Sequence, residues 1–174
     1  MSIEPLGGET VYDGRIVRVR VERFRHADGG EVSREIVRSA GAVGIVAHDN
    51  EQVWLVRQPR EAIGDRLLEL PAGRLDVAGE EPEAAARREL AEEIGKGAHS
   101  WEPILRYYSS AGFTDEEVHL FAARDLYEES ADSGEDERIE VVPWPLGRLA
   151  EAIAGCRDAK TLIGLLWLQL RLNG

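Results

Sequence analysis

The chain of 174 residues carries a formal net charge of −12 at pH 7 and has a sequence pI near 4.8. This length is enough for one compact domain with a sizeable core. The acidity argues against a general nucleic-acid binder, which needs a basic face to contact phosphates. The single cysteine, Cys156, cannot form a disulfide within one chain, so packing must hold the fold together, as suits a reducing cytoplasm.

Neither end of the sequence suggests a membrane protein. The first ten residues, MSIEPLGGET, lack the basic and apolar regions of a signal peptide. The most apolar stretch, residues 162–172, is interrupted by Gln169 and Arg171 and is far shorter than the roughly 20 residues that span a bilayer. We therefore expect a cytoplasmic protein with no membrane partner.

The first half of the chain is typical of strands. Residues 15–24 alternate apolar side chains with arginines, residues 27–30 form an Ala-Asp-Gly-Gly turn signal, and residues 31–38 continue as a second strand. This pattern predicts a β-hairpin. The apolar runs 42–47 and 53–56 predict a second hairpin in the centre of a sheet, because both of their faces are apolar.

The second half mixes strands and helices. After a short strand that ends in Glu69-Leu-Pro-Ala-Gly73, Pro82 is well placed as the first residue of a helix over residues 82–94, which Gly95 would end. The other predicted elements are strands at 105–110, 118–123 and 139–142 and helices at 146–154 and 161–172. This order predicts an α/β chain of the α+β type with a mixed or largely antiparallel sheet.

Three glutamates share one face of the predicted helix. Glu93 is four residues after Glu89, and Glu92 is three residues after it. Like charges at this spacing repel one another and destabilise an isolated helix. Converging carboxylates are the ligands that hard cations such as Mg²⁺ require, so the helix is a candidate metal site.

The segment around these acids resembles the signature of the Nudix hydrolases. Glu80, Arg88-Glu89-Leu90, Glu92-Glu93 and Gly95 occupy the signature spacing. The chain departs from it in two places: six residues, instead of five, separate Gly73 from Glu80, and Lys96 stands where the family has an aliphatic residue. The extra residue could shift loop carbonyls near a metal, whereas Lys96 affects only the end of the helix.

The rest of the chain is similar to the ADP-ribose pyrophosphatase branch of that family, notably in RQPR at 57–60 and ELPAG at 69–73. The resemblance implies a Nudix fold, in which a mixed β-sheet lies between helices. It implies an N-terminal β-hairpin extension at residues 1–40 that serves in homodimerisation, followed by a hydrolase domain at 41–174. It also implies Mg²⁺- or Mn²⁺-dependent hydrolysis of ADP-ribose to AMP and ribose 5-phosphate.

The resemblance assigns roles residue by residue. Arg88 would orient the glutamates, and Glu92, Glu93 and Glu137 would act in catalysis with it. Glu137, on a late acidic loop, would be the general base or a further metal-contacting carboxylate, with Glu135 as the alternative. The implied metal ligands are the Ala72 carbonyl, Glu89, Glu92, Glu93 and Glu137.

The same resemblance implies a substrate site. Arg38 and Arg60 would grip the phosphates and the terminal ribose, although a surface or structural role suits either one nearly as well. Ser110, Gly112 and Glu116 would lie around the terminal sugar. Ala111 stands where most ADP-ribose members have proline, which removes a rigid backbone constraint from this loop.

Two alternatives stay open. The substrate could be another nucleoside diphosphate sugar, such as GDP-mannose. The chain could also be a binding module that senses a nucleotide without cleaving it, but such a module has no need for like charges on one helix face.

Overall fold

The computed structural model of the chain describes residues 2–129, 131 and 138–174. The helices are α1 (Pro82–Ile94), α2 (Leu149–Gly155), which follows a 3₁₀ turn at Leu146–Arg148, and α3 (Ala159–Leu172). The strands are β1 (Ile3–Asp13), β2 (Val17–His26), β3 (Glu31–Ser39), β4 (Ala42–Ala47), β5 (Gln52–Arg60), β6 (Asp65–Glu69), β7 (Ala72–Arg74), β8 (Lys96–Tyr108), β9 (Glu117–Glu128) and β10 (Glu140–Pro145).

The chain forms two compact units, of which the first comprises the residues up to Gly41 together with Tyr107–Glu117. Its sheet has the antiparallel order β1-β2-β3. The predicted hairpin of β2 and β3 is confirmed, with Val17 opposite Ser39 and Arg25 opposite Glu31. Strand β1 was not predicted, because Pro5 and the following glycines break the strand pattern; its register shifts between Pro5 and Gly8.

The second unit comprises Ala42–Arg106 and Val118–Gly174. It contains a mixed sheet of order β7-β4-β9-β8 and an antiparallel sheet of order β10-β5-β6. The predicted hairpin of residues 42–47 with 53–56 is wrong, since β4 pairs in parallel with β9 and in antiparallel fashion with β7, whereas β5 pairs with β10 and β6. Both runs are apolar on both faces, so their sequences do not select a partner.

Strand β4 lies between α1 and α3, and both helices pack against it. Val43, Ile45 and Ala47 belong to a core cluster that includes Leu90 of α1. On the alternate positions, a Cβ on Gly164 of α3 would lie 2.8 Å from Val46 Cγ2. Successive strand residues point to opposite faces, so the expected mixed sheet between helices is confirmed.

The other elements largely follow their predictions. Helix α1 has the predicted bounds, and Gly95 ends it in a left-handed conformation with φ 68°. The predicted strand at 105–110 is the end of the much longer β8, and Ser110 lies beyond it. Helix α3 begins two residues before its predicted start, where the Asp158 side chain accepts a hydrogen bond from the Thr161 backbone N–H. Among the described residues, no helix is long and apolar enough to cross a membrane.

Candidate active site

Helix α1 presents two of its acidic residues, Glu89 and Glu93, beside β7. Ala85, Ala86, Leu90 and Ile94 are buried in the core cluster, and this fixes how the helix is rotated. The rotation leaves Glu93 only 9% exposed, and 13% of the Glu89 side chain and 30% of the Glu92 side chain are exposed. The three carboxylates therefore lie at the edge of the core, away from most of the bulk water that would screen them.

Arg88 connects three glutamates. Its Nε and Nη2 atoms donate to the two oxygens of Glu80, each at 3.0 Å. Its Nη1 atom donates to Glu89 at 2.7 Å and to Glu92 at 2.9 Å. The hydrogen bond with Glu80 is the largest cause that raises the pKa of Arg88, and Arg88 in turn lowers the pKa of Glu80. One guanidinium thus holds carboxylates from the loop and the helix in a fixed arrangement.

Glu93 and Glu89 both meet strand β7. The backbone N–H of Ala72 donates to Glu93 Oε2 at 2.9 Å. The next residue, Gly73, has no side chain where Glu89 passes: a Cβ there would lie 1.9 Å from Glu89 Cδ. The glycine therefore allows the Glu89 carboxylate to approach the backbone of β7 closely. The Ala72 peptide and two of the helix carboxylates thus belong to one small region of the second unit.

The donor set in this region suits a divalent cation by its chemistry. Carboxylate and backbone oxygens are the ligands that hard cations prefer, and a buried carboxylate such as Glu93 gains from a neighbouring positive charge. Among the described residues, no three acidic, histidine or cysteine side chains already converge as a metal-ligand group. Glu89 and Glu92 instead each direct an oxygen at Arg88. The predicted ligand and base Glu137, and its alternative Glu135, lie outside the described residues.

Arg60 lies in a different group of charges. Its Nε and Nη2 atoms donate to the two oxygens of Glu69 at 2.7 and 2.8 Å, and Glu69 is only 1% exposed. Lys160 of α3 also donates to Glu69. Burial acts to raise the pKa of Glu69, but the hydrogen bond from Arg60 and the charge of Lys160 lower it overall. This carboxylate is therefore ionised and fully engaged by two cations.

Arg38 lies in the first unit. Its Nη2 atom donates to both oxygens of Glu22 at 2.9 and 3.0 Å, and its Nη1 atom donates to Asp115 at 2.9 Å. Asp115 also accepts a hydrogen bond from the Ser39 backbone N–H. Arg38 therefore connects two strands of the N-terminal sheet to the loop at 109–116.

The loop at 109–116, which was predicted to surround the terminal sugar, is held by backbone hydrogen bonds within itself. The carbonyl of Ser110 accepts hydrogen bonds from Phe113 and Thr114, each at 3.1 Å, and Ser109 N–H donates to the carbonyl of Glu116. A Cβ on Gly112 would meet no atom within 4 Å, so nothing in the described structure requires glycine there. Ser110, Gly112 and Glu116 thus share one turn.

Sequence analysis missed the contacts of Glu69 and Leu70 with α3. Lys160, which binds Glu69, and Thr161, which accepts the Leu70 N–H, are about 90 residues away in sequence, and no local spacing could indicate these contacts. It also missed the contact of Glu80 with Arg88, although the seven-residue gap between them is part of the signature. The available signal was the place of Glu69 in the sequence, between Leu68 and Leu70 and two residues before Pro71, where apolar neighbours favour burial.

Comparisons with known proteins identify the family to which the chain belongs. A sequence model of the NUDIX domain matches residues 38–155. The ADP-ribose pyrophosphatase of Mycobacterium tuberculosis is 39% identical over 87% of this chain and 75% of its own length, and the methanol dehydrogenase activator of Bacillus methanolicus is 36% identical over 94% and 90%. A solved structure of an ADP compounds hydrolase covers 100% of this chain and 96% of that chain, with a TM-score of 0.89 and 26% identity. The family resemblance is thereby confirmed, and the chain belongs to the NUDIX domain family.

Proposed function

We propose that this protein hydrolyses the pyrophosphate bond of ADP-ribose to AMP and ribose 5-phosphate with the help of Mg²⁺ or Mn²⁺. The observation that carries this proposal is the placement of Glu93 on the Ala72 peptide and of Glu89 on Gly73, with Arg88 binding both Glu89 and Glu92. The relative named ADP-ribose pyrophosphatase supports the choice of substrate. Members of this family generally use divalent metal ions, and the choice between magnesium and manganese is part of the proposal.

The chain's own residues would prepare the site for an anionic substrate. Bound divalent ions would neutralise pyrophosphate charge and lower the pKa of a bound water. Glu93, held by the Ala72 N–H, and Glu89, packed on Gly73, would be the principal ligands. Glu92 would support them, and the Ala72 carbonyl would add an oxygen. Arg88 would keep Glu89 and Glu92 from rotating away into solvent.

The remaining roles follow the resemblance. Glu137 would accept the proton of the attacking water, with Glu135 as the alternative base. Arg60 uses Nε and Nη2 to bind Glu69, so Nη1 is the atom that it would offer to a phosphate. Arg38 would bind substrate beside the loop that carries Ser110, Gly112 and Glu116.

We also propose that the protein is a cytoplasmic homodimer that associates through its N-terminal sheet. Cys156 is the single cysteine and is unpaired, as suits a reducing compartment. Ile3, Val11 and Tyr12 of β1 are each more than half exposed. Large exposed apolar side chains are often found where one chain meets another. A dimer contact there would remove them from water.

The substrate proposal is tested by measuring kcat/KM over a panel of ADP-ribose, GDP-mannose and other nucleoside diphosphate sugars with Mg²⁺ or Mn²⁺. We expect the highest value for ADP-ribose, with AMP and ribose 5-phosphate as products on chromatography, and no turnover in excess EDTA. A preference for GDP-mannose would favour the alternative that the sequence left open. Binding of ADP-ribose by calorimetry without any turnover would instead indicate a nucleotide-sensing module.

A Gly73→Ala variant tests the close approach of Glu89 to β7. The added Cβ would lie 1.9 Å from Glu89 Cδ, 2.0 Å from Oε1 and 2.4 Å from Cγ, so the Glu89 side chain must rotate away, from its Cγ outward, while the backbone remains in place. We expect the thermal midpoint to change little and kcat for ADP-ribose to fall by about tenfold or more, as when a metal ligand loses its orientation.

Gly147→Ala is the matched control, since a Cβ on Gly147 would meet no atom within 4 Å. It should leave both kcat and the thermal midpoint unchanged. Wild-type turnover in Gly73→Ala would contradict the placement of Glu89 as a principal ligand.

A further inference from the structure

Helix α3 contacts the turn that carries Ala72. The helix begins at Ala159, after the end of the segment 38–155 that matches the sequence model of the NUDIX domain. Its first turn lies against Glu69 and Leu70, which directly precede Pro71 and Ala72. Residues outside the matched segment thus touch the backbone next to the candidate metal site.

The first contact is made by Thr161, which is only 1% exposed. Its hydroxyl oxygen accepts a hydrogen bond from the backbone N–H of Leu70 at 2.9 Å, and the hydroxyl donates to Asp158 Oδ2 at 2.6 Å. The Asp158 carboxylate also accepts the Thr161 backbone N–H at 3.0 Å. The cap of α3 therefore fixes the direction of the hydroxyl, which satisfies a buried backbone donor of the turn.

The second contact is made by Lys160. Its ammonium group donates to the buried Glu69 carboxylate and lies 3.0 Å from Asp158 Oδ2. Only 15% of the Lys160 side chain is exposed. The lysine thus connects the helix cap to the residue before Leu70, in a place where water competes little for the ion pair. Glu69, Asp158, Lys160 and Thr161 are referred to below as the α3 clamp.

Each of the three turn residues, Leu70, Pro71 and Ala72, makes a backbone hydrogen bond to another element. Leu70 donates to Thr161, the carbonyl of Pro71 accepts the Ile45 N–H at 2.9 Å, and Ala72 donates to Glu93 at 2.9 Å. Leu70 also packs on α3, where a Cβ on Gly164 would lie 2.6 Å from Leu70 Cδ1. Only Pro71 separates the hydrogen bond to Thr161 from the hydrogen bond to Glu93, so the backbone that α3 holds and the Ala72 peptide are joined by a single residue.

We propose that Lys160 and Thr161 are positioning residues: through Glu69 and Leu70 they set the place of the Ala72 peptide and hence the affinity of the Glu93 site for a divalent cation. This inference rests on the proposed function for the identity of the site. The alternative is that the α3 clamp only stabilises the fold, in which case its loss would lower thermal stability and leave metal affinity unchanged.

The test compares Thr161→Val and Lys160→Met with the conservative variants Thr161→Ser and Lys160→Arg. Mn²⁺ binding is measured by electron paramagnetic resonance without substrate, together with kcat, KM and thermal unfolding. We expect Thr161→Val and Lys160→Met to weaken Mn²⁺ binding and to lower kcat by about tenfold each, with KM for ADP-ribose changed little, since supporting partners of metal sites act on this scale.

The conservative variants should recover most of the Mn²⁺ affinity, because serine retains the hydroxyl and arginine retains a cation for Glu69. Arg171→Met is the matched control on the same helix, since the exposed Arg171 pairs with Glu102 of β8 and makes no contact with the α3 clamp among the described hydrogen bonds and ion pairs. If Lys160→Met fails to fold, Thr161→Val decides, because valine has nearly the same shape as threonine and leaves the Glu69 ion pairs in place.

The outcomes separate the two proposals. Unchanged Mn²⁺ affinity in folded Thr161→Val overturns the role of the α3 clamp alone. Weakened Mn²⁺ binding in the variants, with no cleavage of ADP-ribose by the wild type, supports the α3 clamp and contradicts the proposed function alone. A wild-type protein that binds no Mn²⁺ would overturn both.

Discussion

Replacement of Glu93 by glutamine is expected to lower kcat for ADP-ribose by about a hundredfold or more, with the fold intact. The glutamine carbonyl can still accept the Ala72 N–H, so the local contact that this residue makes with β7 is kept. What is lost is the negative charge of a residue that is only 9% exposed and that would bind a divalent ion. Loss of about 3 kcal/mol of transition-state stabilisation corresponds to a fall of about a hundredfold.

The measurement is steady-state hydrolysis of ADP-ribose together with thermal unfolding of the same preparation. Glu83→Gln is the matched control, because Glu83 lies on the same helix in an exposed pair with Arg87. It should have wild-type kcat, since exposed pairs of this kind contribute little. Wild-type turnover in Glu93→Gln would remove Glu93 from the catalytic site and with it the main support for the proposed reaction.

An Arg88→Met variant is expected to lose both turnover and stability, and divalent cations are expected to restore part of the stability. Without the guanidinium, the carboxylates of Glu80, Glu89 and Glu92 lose their shared counter-charge. Their mutual repulsion should lower the thermal midpoint in metal-free buffer. Added Mg²⁺ should raise that midpoint more in the variant than in the wild type, because cations that bind only the folded state stabilise it.

The contact between Arg88 and Glu80 should also affect how the stability of the fold depends on pH. Arg88 lowers the pKa of Glu80 below its ordinary value of 4.5. A carboxyl whose pKa is lower in the folded state stabilises the fold above the unfolded pKa, and this stabilisation is lost as the pH falls through the lowered value. The wild type should therefore lose more stability than Arg88→Met between neutral pH and pH values below 4.5.

Arg87→Met is the control for Arg88→Met, since Arg87 is the adjacent residue and pairs with exposed Glu83. It should show neither the fall in kcat nor the extra response to Mg²⁺. Equal thermal midpoints for wild type and Arg88→Met in EDTA at neutral pH would show that Arg88 does not hold the glutamates together.

Local patterns predicted the elements whose stabilising contacts are local. Helix α1 was predicted at its observed bounds because Pro82 starts it, Gly95 ends it and its alanines favour the helix between them. The hairpin of β2 and β3 was predicted because alternation and a Gly-Gly turn specify an antiparallel neighbour. The side-by-side placement of Glu89, Glu92 and Glu93 follows from helical periodicity alone.

Local sequence patterns could not predict contacts between residues that are far apart in the sequence. The parallel pairing of β4 with β9 joins Ala42 to Val118, and an apolar run carries no information on a partner so far away in sequence. The contacts of Lys160 and Thr161 with the turn before Ala72 are equally distant. The short strand β7 was read as part of a Pro-Gly turn, because its three residues owe their strand geometry to β4.

The position of α3 bears on how small a working version of this protein can be. A fragment of residues 38–155 would retain Glu80, Arg88 and the three glutamates Glu89, Glu92 and Glu93. It would also contain the whole segment that matches the NUDIX domain model. It would lack the cap formed by Asp158 and Thr161, the ammonium group that faces Glu69, and the glycine on which Leu70 rests. Transplanting the signature into another scaffold would carry over the proposed ligands without the α3 clamp. If the α3 clamp positions Ala72 as proposed, we expect the minimal functional module to extend into the C-terminal helix.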